Sequence, residues 1–278
     1  MQFDVITIFP GFFSGIFEHG IVRRAQADGL VTINLLDLRT FTHDRHRTVD
    51  DRPFGGGEGM VLKPEPLAAA LASLGIVEKT KREQENSSST APAPPVVILL
   101  SAQGRPFNQS VARQLVTRDK IVLLCGRYEG VDERINDLYC DMELSIGDYV
   151  LSGGELAAAV VVDAVMRLIP GVLGNEASGE FESFGLADAV IAATADGVPR
   201  SQHGAGGLLD YPHYTRPAEF GGLAAPSVLL NGDHQQIRRW RREQQLRKTL
   251  ANRPDLLNLA ALSEEDKRLL DSLGWPGR

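Results

Sequence analysis

Short apolar runs alternate along the chain with segments that repeat apolar residues at helical spacing. Five of the runs are apolar almost throughout, which is typical of strands that are buried on both faces of a sheet. They span residues 3–9, 31–36, 96–100, 121–125 and 142–146. We therefore predict five strands, most of them central in a sheet.

Segments with apolar residues at helical spacing follow most of these runs. The pattern predicts helices between residues 13 and 29, over 64–74, over 108–116 and from Glu155 onwards. Pro64 would lie in a first turn, where its missing N–H costs little, and Asn108 is a good N-cap. Strands that alternate with helices predict an α/β domain with a parallel sheet over residues 1–174.

Two stretches lack any regular spacing of apolar residues. Residues 78–95 read EKTKREQENSSSTAPAPP, which is too poor in apolar residues to offset the entropy of ordering, so we expect a disordered insertion. Residues 175–206 are rich in Ala, Gly and Ser and are predicted to be a flexible linker. Residues 207–278 then form a small, mostly helical domain, whose last helix starts at a capping-box-like pair, Ser263 and Asp266.

Charge and cysteine usage narrow the class of protein. The 278 residues include 29 basic and 36 acidic ones, so the net charge of −7 argues against nucleic-acid binding by bulk charge but leaves a local basic surface open. Cys125 and Cys140 have no metal-ligand spacing. The N-terminus lacks the basic segment of a signal peptide, and the apolar run 156–162 is far too short to cross a membrane. We expect a cytoplasmic protein.

Three glycine-containing turns follow predicted strands, at residues 101–105, 126–134 and 146–154. In open parallel sheets ligands bind at the carboxyl ends of strands, so these turns are expected to line one pocket. The third turn, in SIGDYVLSGGE (145–155), carries no Lys, and neither G-x-G-x-x-G nor G-x-x-x-x-G-K-S/T occurs. The pocket is therefore predicted to hold a flat, uncharged group through backbone N–H and C=O groups.

Several other features have both a structural and a functional interpretation. The GGGEG segment 55–59 is either a mobile hinge or a backbone surface for an anion. Arg167 is either a surface side chain or a group that stabilises charge on a substrate oxygen. Glu182, Asp196 and Asp210 are either solvated or functional carboxylates, and the histidines show no metal spacing.

A basic helix is predicted over residues 235–250. It carries six Arg or Lys residues against a single acid, Glu243, and includes Trp240. Such a helix is either a solvated face or a surface for a phosphate backbone, and its charge in an acidic chain favours the second.

Seven motifs in this order closely resemble those of the bacterial tRNA (guanine-N1)-methyltransferase family. They are IFPGFF (8–13), RPFGGGEGM (52–60), CGRYEGVDER (125–134), SIGDYVLSGGE (145–155), IPGVLG (169–174), LLDYPHYTRP (208–217) and IRRWR (237–241). The resemblance covers nearly the whole chain, apart from residues 78–95 and part of the linker.

The resemblance implies an S-adenosylmethionine-dependent enzyme of the SPOUT class that methylates N1 of guanosine 37 in tRNA, next to the anticodon. It also implies a deep trefoil knot at the methyl-donor site, which periodicity cannot reveal. The partners implied are tRNA and a second copy of the chain, in a homodimer whose active sites use both subunits. A requirement for Mg²⁺ stays open, and no membrane contact is expected.

The same resemblance assigns site residues by position. The donor pocket would be lined by Leu100, Ser101, Gly126, Tyr128, Glu129, Ile146, Tyr149, Leu151, Gly153 and Gly154. RNA would be bound by Arg52, Gly55, Gly56 and Gly57 and by Arg238, Arg239, Arg241 and Arg242 of the basic helix. No metal ligands are assigned.

N1 of guanine carries a proton at neutral pH, so a base must remove it, and removal shifts negative charge towards O6. A carboxylate near N1 and a guanidinium near O6 meet both needs. The family has an Arg at the position of Arg167 and an Asp where this chain has Glu182. The extra methylene shifts the carboxylate by roughly 1 Å, which matters at reacting distances. Glu182 is our first candidate for the base and Asp210 the second.

Three rival functions remain at this stage. A ribose methyltransferase of the same fold is disfavoured by the basic C-terminal domain and by LLDYPHYTRP. An RNA-binding protein without catalysis would require the three turns to be vestigial, although all three have intact motifs. An NTPase that uses residues 55–59 lacks the lysine of a phosphate-binding loop.

Overall fold

The computed structural model describes residues 1–86, 94–174, 181–186, 204–275 and 277. The chain divides into two compact units, Met1–Gly174 and Asn175–Arg278. Each unit has its own buried apolar core.

A five-stranded parallel sheet forms the centre of the first unit. Its strands are β1 (Gln2–Thr7), β2 (Thr32–Asp37), β5 (Val96–Pro106), β6 (Lys120–Cys125) and β7 (Met142–Ser145), in the order β2-β1-β6-β5-β7. A separate antiparallel pair consists of β3 (Asp50–Asp51) and β4 (Val61–Leu62). The predicted α/β class with a parallel sheet is confirmed, whereas the trefoil knot stays a prediction.

Helices cover both faces of this sheet. They are α1 (Gly20–Ala27), α2 (Pro64–Ser73), α3 (Lys79–Asn86), α4 (Gln109–Leu115), α5 (Glu133–Tyr139) and α6 (Glu155–Met166). One face of the sheet packs with α1, α4 and α6, and the other packs with α2 and α5. Side chains on successive residues of a strand point to opposite faces, so apolar residues throughout β1, β5 and β6 supply both cores. The side chain of Asn108 accepts from the N–H of Val111 and caps α4 as predicted.

The strand β5 is longer than its apolar run predicts. Residues 101–105 were expected to form a loop, but β5 continues to Pro106, and its pairing with β7 shifts register between Leu100 and Arg105. A Cβ at Gly104 would lie 2.5 Å from the backbone nitrogen of Leu144, so only glycine allows this approach. The carboxyl end of the apolar run therefore lies in a bulged strand.

The prediction of disorder for residues 78–95 is wrong for Lys79–Asn86, which form α3. Arg82 is buried and fixes this helix: its guanidinium donates to the carbonyl oxygens of Val77, Pro95 and Tyr139 and forms an ion pair of 2.8 Å with Asp141. The low apolar content of the segment did not reveal these contacts of Arg82, because the contacts that stabilise the helix are polar. Residues 87–93 lie outside the described part of the chain.

Two helices pack at the centre of the second unit. They are α7 (His234–Asn252) and α8 (Glu264–Ser272), which enclose a core of Leu208, Leu246, Leu257 and Leu270 together with a 3₁₀ helix, Pro254–Asn258. Ser263 and Asp266 form the predicted capping box at the start of α8. A two-stranded hairpin, β8 (Glu219–Phe220) and β9 (Leu223–Ala224), precedes α7.

Part of the predicted linker is ordered by hydrogen bonds. The N–H groups of Phe184 and Gly207 donate to the carbonyl oxygens of Leu208 and Gly185, so residues 184–186 pair with residues 206–208. The prediction of a flexible linker is therefore wrong for this described segment, because backbone pairing substitutes for the missing apolar period. Residues 175–180 and 187–203, which include Asp196, lie outside the described residues. No helix in the described ranges has the length and apolar character needed to cross a membrane.

Arg82 gives a direct test of the polar anchor. We expect Arg82→Ala to lower the free energy of unfolding by about 2–3 kcal/mol, because three carbonyl groups and Asp141 lose their donor. Lys81→Ala is the matched control, since the ion pair of Lys81 with Glu78 is exposed and should contribute less than about 0.5 kcal/mol. Urea unfolding of both variants measures the difference, and equal losses would contradict the anchoring role.

Candidate active site

The carboxyl ends of β5, β6 and β7 surround a cavity of about 410 Å³. All ten residues that the sequence assigned to a donor pocket line it: Leu100, Ser101, Gly126, Tyr128, Glu129, Ile146, Tyr149, Leu151, Gly153 and Gly154. The structure thus brings the three predicted turns together, although what they bind remains a prediction at this point.

Backbone contacts between the second and third turns close one side of this cavity. The N–H of Gly154 donates to the carbonyl oxygen of Gly126 at 2.9 Å, and Arg127 pairs with Gly153 as a short antiparallel bridge. A Cβ at Gly154 would lie 2.8 Å from Cys125 Cα, and one at Gly126 would lie 3.3 Å from the carbonyl oxygen of Leu100. Glycine is therefore required at Gly154 for this close approach of backbones, whereas a Cβ at Gly126 would make a tight contact.

A buried ion pair lies directly behind the glycine contacts. Glu155, at the start of α6, is 1% exposed and accepts from Arg127 Nη2 at 3.1 Å and from Thr7 Oγ1 at 2.8 Å. The guanidinium of Arg127 also lies over the ring of Phe9, at 4.7 Å from its centroid. The end of β1, the second turn and the first turn of α6 are thereby joined through one charged pair. The charge of Arg127 is therefore paired with a carboxylate of the protein itself.

The lining of the cavity is acidic. Glu129, Glu133 and Glu143 contribute to it, and the positive charge of Arg127 is matched by Glu155. A negative cavity disfavours phosphate groups and favours a cationic ligand. This electrostatic property was missed from the sequence, where the pocket was expected to suit an uncharged group.

Two tyrosines are exposed at the cavity. Tyr128 is 51% exposed and has a positive φ of 60°, and Tyr149 is 55% exposed and donates its hydroxyl to the carbonyl oxygen of Ile146 at 3.2 Å. A positive φ is strained for a tyrosine and is a feature of functional sites. Both tyrosines line the cavity, and an aromatic face can stack on a planar group.

The glycine-rich segment 55–59 is attached to the second turn. The N–H of Glu129 donates to the carbonyl oxygen of Met60, and that of Leu62 donates to Gly130, each at 3.0 Å. A Cβ at Gly59 would lie 2.5 Å from Glu129 Oε1, so this glycine also permits a close contact. Four of the eight residues predicted to bind RNA are exposed in or just before this segment: Arg52, Gly55, Gly56 and Gly57. Met60, which follows this segment, contacts Glu129 of the cavity lining through the backbone.

Arg167 belongs to the first unit. It is half-buried, caps the carboxyl end of α6 and donates its N–H to the carbonyl oxygen of Asp163 at 3.2 Å. Its position follows from α6, whose apolar residues bury the helix against the sheet.

The two candidate carboxylates belong to the second unit. Ser183, next to Glu182, accepts the N–H of Asp210 through its hydroxyl at 2.9 Å, so the two carboxylate residues lie in facing segments. Asp210 Oδ1 accepts the N–H of Tyr211 at 2.8 Å, and Oδ2 lies 2.9 Å from His213 Nε2. The carboxylate of Asp210 is therefore oriented by two partners.

The basic helix α7 uses its arginines in different ways. Arg242 forms a two-pronged ion pair with Asp266 at 2.8 and 2.9 Å, which argues against the RNA-binding role predicted for it. The guanidinium of Arg241 lies over the ring of Tyr211 at 4.8 Å from its centroid. Arg239 is exposed and Arg238 is half-buried. Sequence could not separate these roles, because the partner Asp266 is 24 residues away.

The chain matches one family of known proteins along nearly all of its length. The family model described as tRNA (Guanine-1)-methyltransferase TrmD matches residues 1–259. The chain belongs to this family. Its predicted membership is thereby confirmed.

Similar proteins carry the corresponding name. A protein of Koribacter versatilis named tRNA (guanine-N(1)-)-methyltransferase is 55% identical, and the match covers 98% of both chains. Proteins with the same name from Chloroflexus aggregans and Dehalococcoides mccartyi are 48% and 46% identical, over 100% and 98% of this chain and 97% of each relative.

Family membership does not by itself assign a metal site, so the arrangement of possible ligand residues has to be considered. Within the described ranges, no group of three His, Cys, Asp or Glu residues is arranged to hold a metal ion. Cys125 and Cys140 are buried, and burial raises the pKa of both thiols, to about 12 for Cys140. Neither cysteine is suited to be a nucleophile at neutral pH.

The ion pair of Arg242 and Asp266 predicts how the stability of the fold depends on pH. Burial alone raises the pKa of Asp266, but hydrogen bonds from Arg242 and Ser263 outweigh burial and lower the pKa below 3.8. A carboxyl group with a depressed pKa stabilises the fold above its unfolded pKa, and this stability is lost as the pH falls through the folded value.

We therefore expect Asp266→Asn to be less stable than the parent at pH 7 and to lose less stability between about pH 4 and pH 2. Urea unfolding across this range measures both effects. Asp271→Asn, an exposed position on the same helix, serves as the control and should follow the parent. A parallel pH profile for Asp266→Asn would contradict the assignment.

Proposed function

We propose that this protein transfers a methyl group from S-adenosylmethionine to N1 of guanosine 37 in tRNA. The observation that carries the proposal is the acidic cavity built from three backbone turns, in which the charge of Arg127 is already paired. The relatives' printed name, tRNA (guanine-N(1)-)-methyltransferase, supports the same reaction.

The residues of the cavity fit the proposed donor. A volume of about 410 Å³ suits a nucleoside-sized ligand, Glu129, Glu133 and Glu143 suit its positive sulfonium, and the two tyrosines suit its purine. When bound, S-adenosylmethionine supplies an electrophilic methyl group. The ten residues of the predicted pocket would hold it largely through main-chain groups.

The proton on N1 is assigned to a carboxylate of the second unit. Both oxygens of Asp210 already interact with Tyr211 and His213, so this carboxylate is suited to holding the guanine in position. Glu182, which stands where the family has an Asp, is retained as the base that accepts the N1 proton. Arg167 would stabilise the negative charge that develops on O6.

The tRNA is proposed to contact exposed basic and glycine-rich surfaces. Arg52 with Gly55, Gly56 and Gly57 would approach the RNA beside the cavity, and Arg238, Arg239 and Arg241 would contact its phosphates. No metal ligand is assigned, and a role for Mg²⁺ would be one of shielding RNA charge. Because tRNA is the substrate, the proposed place of action is the cytoplasm.

A homodimer and a trefoil knot are part of this proposal. Leu156 and Val160 are 46% and 45% exposed at i, i+4 positions of α6, and Phe9, Phe12 and Ile16 are also more than a third exposed. α6 is in contact with the 3₁₀ helix Pro10–Phe13, and these exposed apolar side chains are the ones that a second copy would cover. Sedimentation velocity should give a species of twice the chain mass; a monomer at micromolar concentration would refute the dimer.

The reaction itself is tested with tRNA transcripts. We expect radiolabelled methyl transfer to a transcript with guanosine at position 37 and none to the same transcript with adenosine there. Mass spectrometry of the digested product should identify 1-methylguanosine. A methylated ribose, or donor binding without any transfer, would overturn the proposed reaction in favour of a ribose methyltransferase or a binding module.

The assignment of the base is tested by comparing two variants. Glu182→Gln should lower kcat by about 10² to 10⁴, because the amide cannot accept the N1 proton. Asp210→Asn should mainly raise KM for tRNA. Calorimetry should show unchanged binding of S-adenosylmethionine to both. A normal kcat for Glu182→Gln together with a large loss for Asp210→Asn would transfer the role of base to Asp210.

A further inference from the structure

The first unit has a second hollow, of about 520 Å³, beside α4. Its lining is polar and basic, and consists of Ser110, Arg113, Gln114, Leu115, Thr117, Arg118 and Met142. No carboxylate is among these described lining residues. In a chain with a net charge of −7, this local excess of positive charge is unusual and indicates an anionic ligand.

Three arginines from different elements meet at this hollow. Arg113 and Arg118 line it, and Arg105 of β5 reaches its edge, because Arg105 Nη2 lies 3.2 Å from the sulfur of Met142. None of the three forms an ion pair with any carboxylate in the described part of the chain. They contrast with Arg82, Arg127 and Arg242, which are each paired with an acid.

Arg113 supplies the most specific evidence. Its Nη2 is buried and has no hydrogen-bond partner among the described residues. A buried charged donor without an acceptor is costly, so this position favours a ligand that brings an oxygen to it. The hydroxyl group of Ser110 and the side-chain amide of Gln114 add neutral donors on the exposed side, whereas the hydroxyl of Thr117 already donates to the carbonyl oxygen of Gln114.

A phosphate group fits this set of donors. Guanidinium groups match the geometry of phosphate oxygens, and exposed hydroxyl and amide side chains are common contacts to nucleic-acid backbones. The hollow is open rather than enclosed, so it does not surround a base. It suits sequence-independent contact with a sugar-phosphate chain.

The hollow and the donor cavity share the strand β7. Met142 lines the hollow, whereas Glu143, Leu144 and Ser145 line the cavity. Three residues of a strand span about 10 Å, a separation that a few nucleotides of one RNA strand can bridge. A strand whose guanosine reaches the donor at the mouth of the cavity can therefore place a nearby phosphate on the arginines.

We infer that Arg105, Arg113 and Arg118 form a binding site for a phosphate of the substrate RNA backbone, separate from the basic helix α7. The inference rests on the tRNA substrate of the proposed function. A free phosphate-bearing molecule has the same chemistry, and the experiment below distinguishes the two sources.

The test compares Arg113→Gln/Arg118→Gln with the parent and with Arg23→Gln, an exposed arginine of α1 that lines neither cavity. We expect the double variant to bind a tRNA transcript about tenfold more weakly, and the slope of log K against log salt to fall by about 1–2. KM for tRNA should rise by a similar factor, while kcat and the affinity for S-adenosylmethionine stay at the parent value. The control should follow the parent in all of these measurements.

The charge-conserving variant Arg113→Lys/Arg118→Lys should keep most of the salt slope, because phosphate contacts depend mainly on charge. It also guards against a folding defect in the glutamine variant. Unchanged tRNA affinity and salt slope in the glutamine variant would overturn the inference.

The second part of the test is a titration of the parent and of the glutamine variant with inorganic phosphate, with binding measured by calorimetry. Loss of phosphate binding in the glutamine variant with unchanged tRNA binding would assign the site to a free phosphate ligand and overturn RNA as its source. Methyl transfer by the parent chain tests the proposed function. The phosphate site is tested separately, by the ratio of tRNA affinities between variant and parent.

Discussion

The buried ion pair between Arg127 and Glu155 is the constraint on which the rest of the site depends. It joins the end of the first strand, through Thr7 and Phe9, to the second glycine turn and to the start of α6. Breaking such a pair by removing one partner leaves an uncompensated buried charge, which is strongly destabilising. The pair therefore acts as a positioning device, and Gly153 must lack a side chain because a Cβ there would lie 2.5 Å from Glu155 Oε2.

Two consequences for function follow from this pairing. The turns at 126–127 and 153–154 are held at hydrogen-bonding distance, so their main-chain groups are ordered before any ligand arrives. A preorganised backbone binds without the cost of ordering a loop. The pairing also neutralises Arg127, so that among the described lining residues three glutamates set the sign of the cavity. The same side-chain pair thus determines both the shape and the charge preference of the site.

Much of the fold was predictable because its signals are local. The apolar runs of β1, β5 and β6, the N-cap at Asn108 and the capping box at Ser263 depend on neighbouring residues, and the turns at the carboxyl ends of parallel strands converge by topology. What was missed depends on contacts between distant residues. Arg82 orders α3 through Asp141, and Arg242 is neutralised by Asp266. The continuation of β5 through Gly104 likewise requires β7 beside it.

The central claim is that the pair of Arg127 and Glu155 holds the donor cavity in a binding-competent shape. A double-mutant cycle with Arg127→Met, Glu155→Met and the combined variant, read out by calorimetry with S-adenosylmethionine, tests it most directly. Each single change should weaken binding at least about tenfold, and the combined variant should bind better than the sum of the two losses implies. Strictly additive losses, or single variants that bind as the parent does, would contradict it.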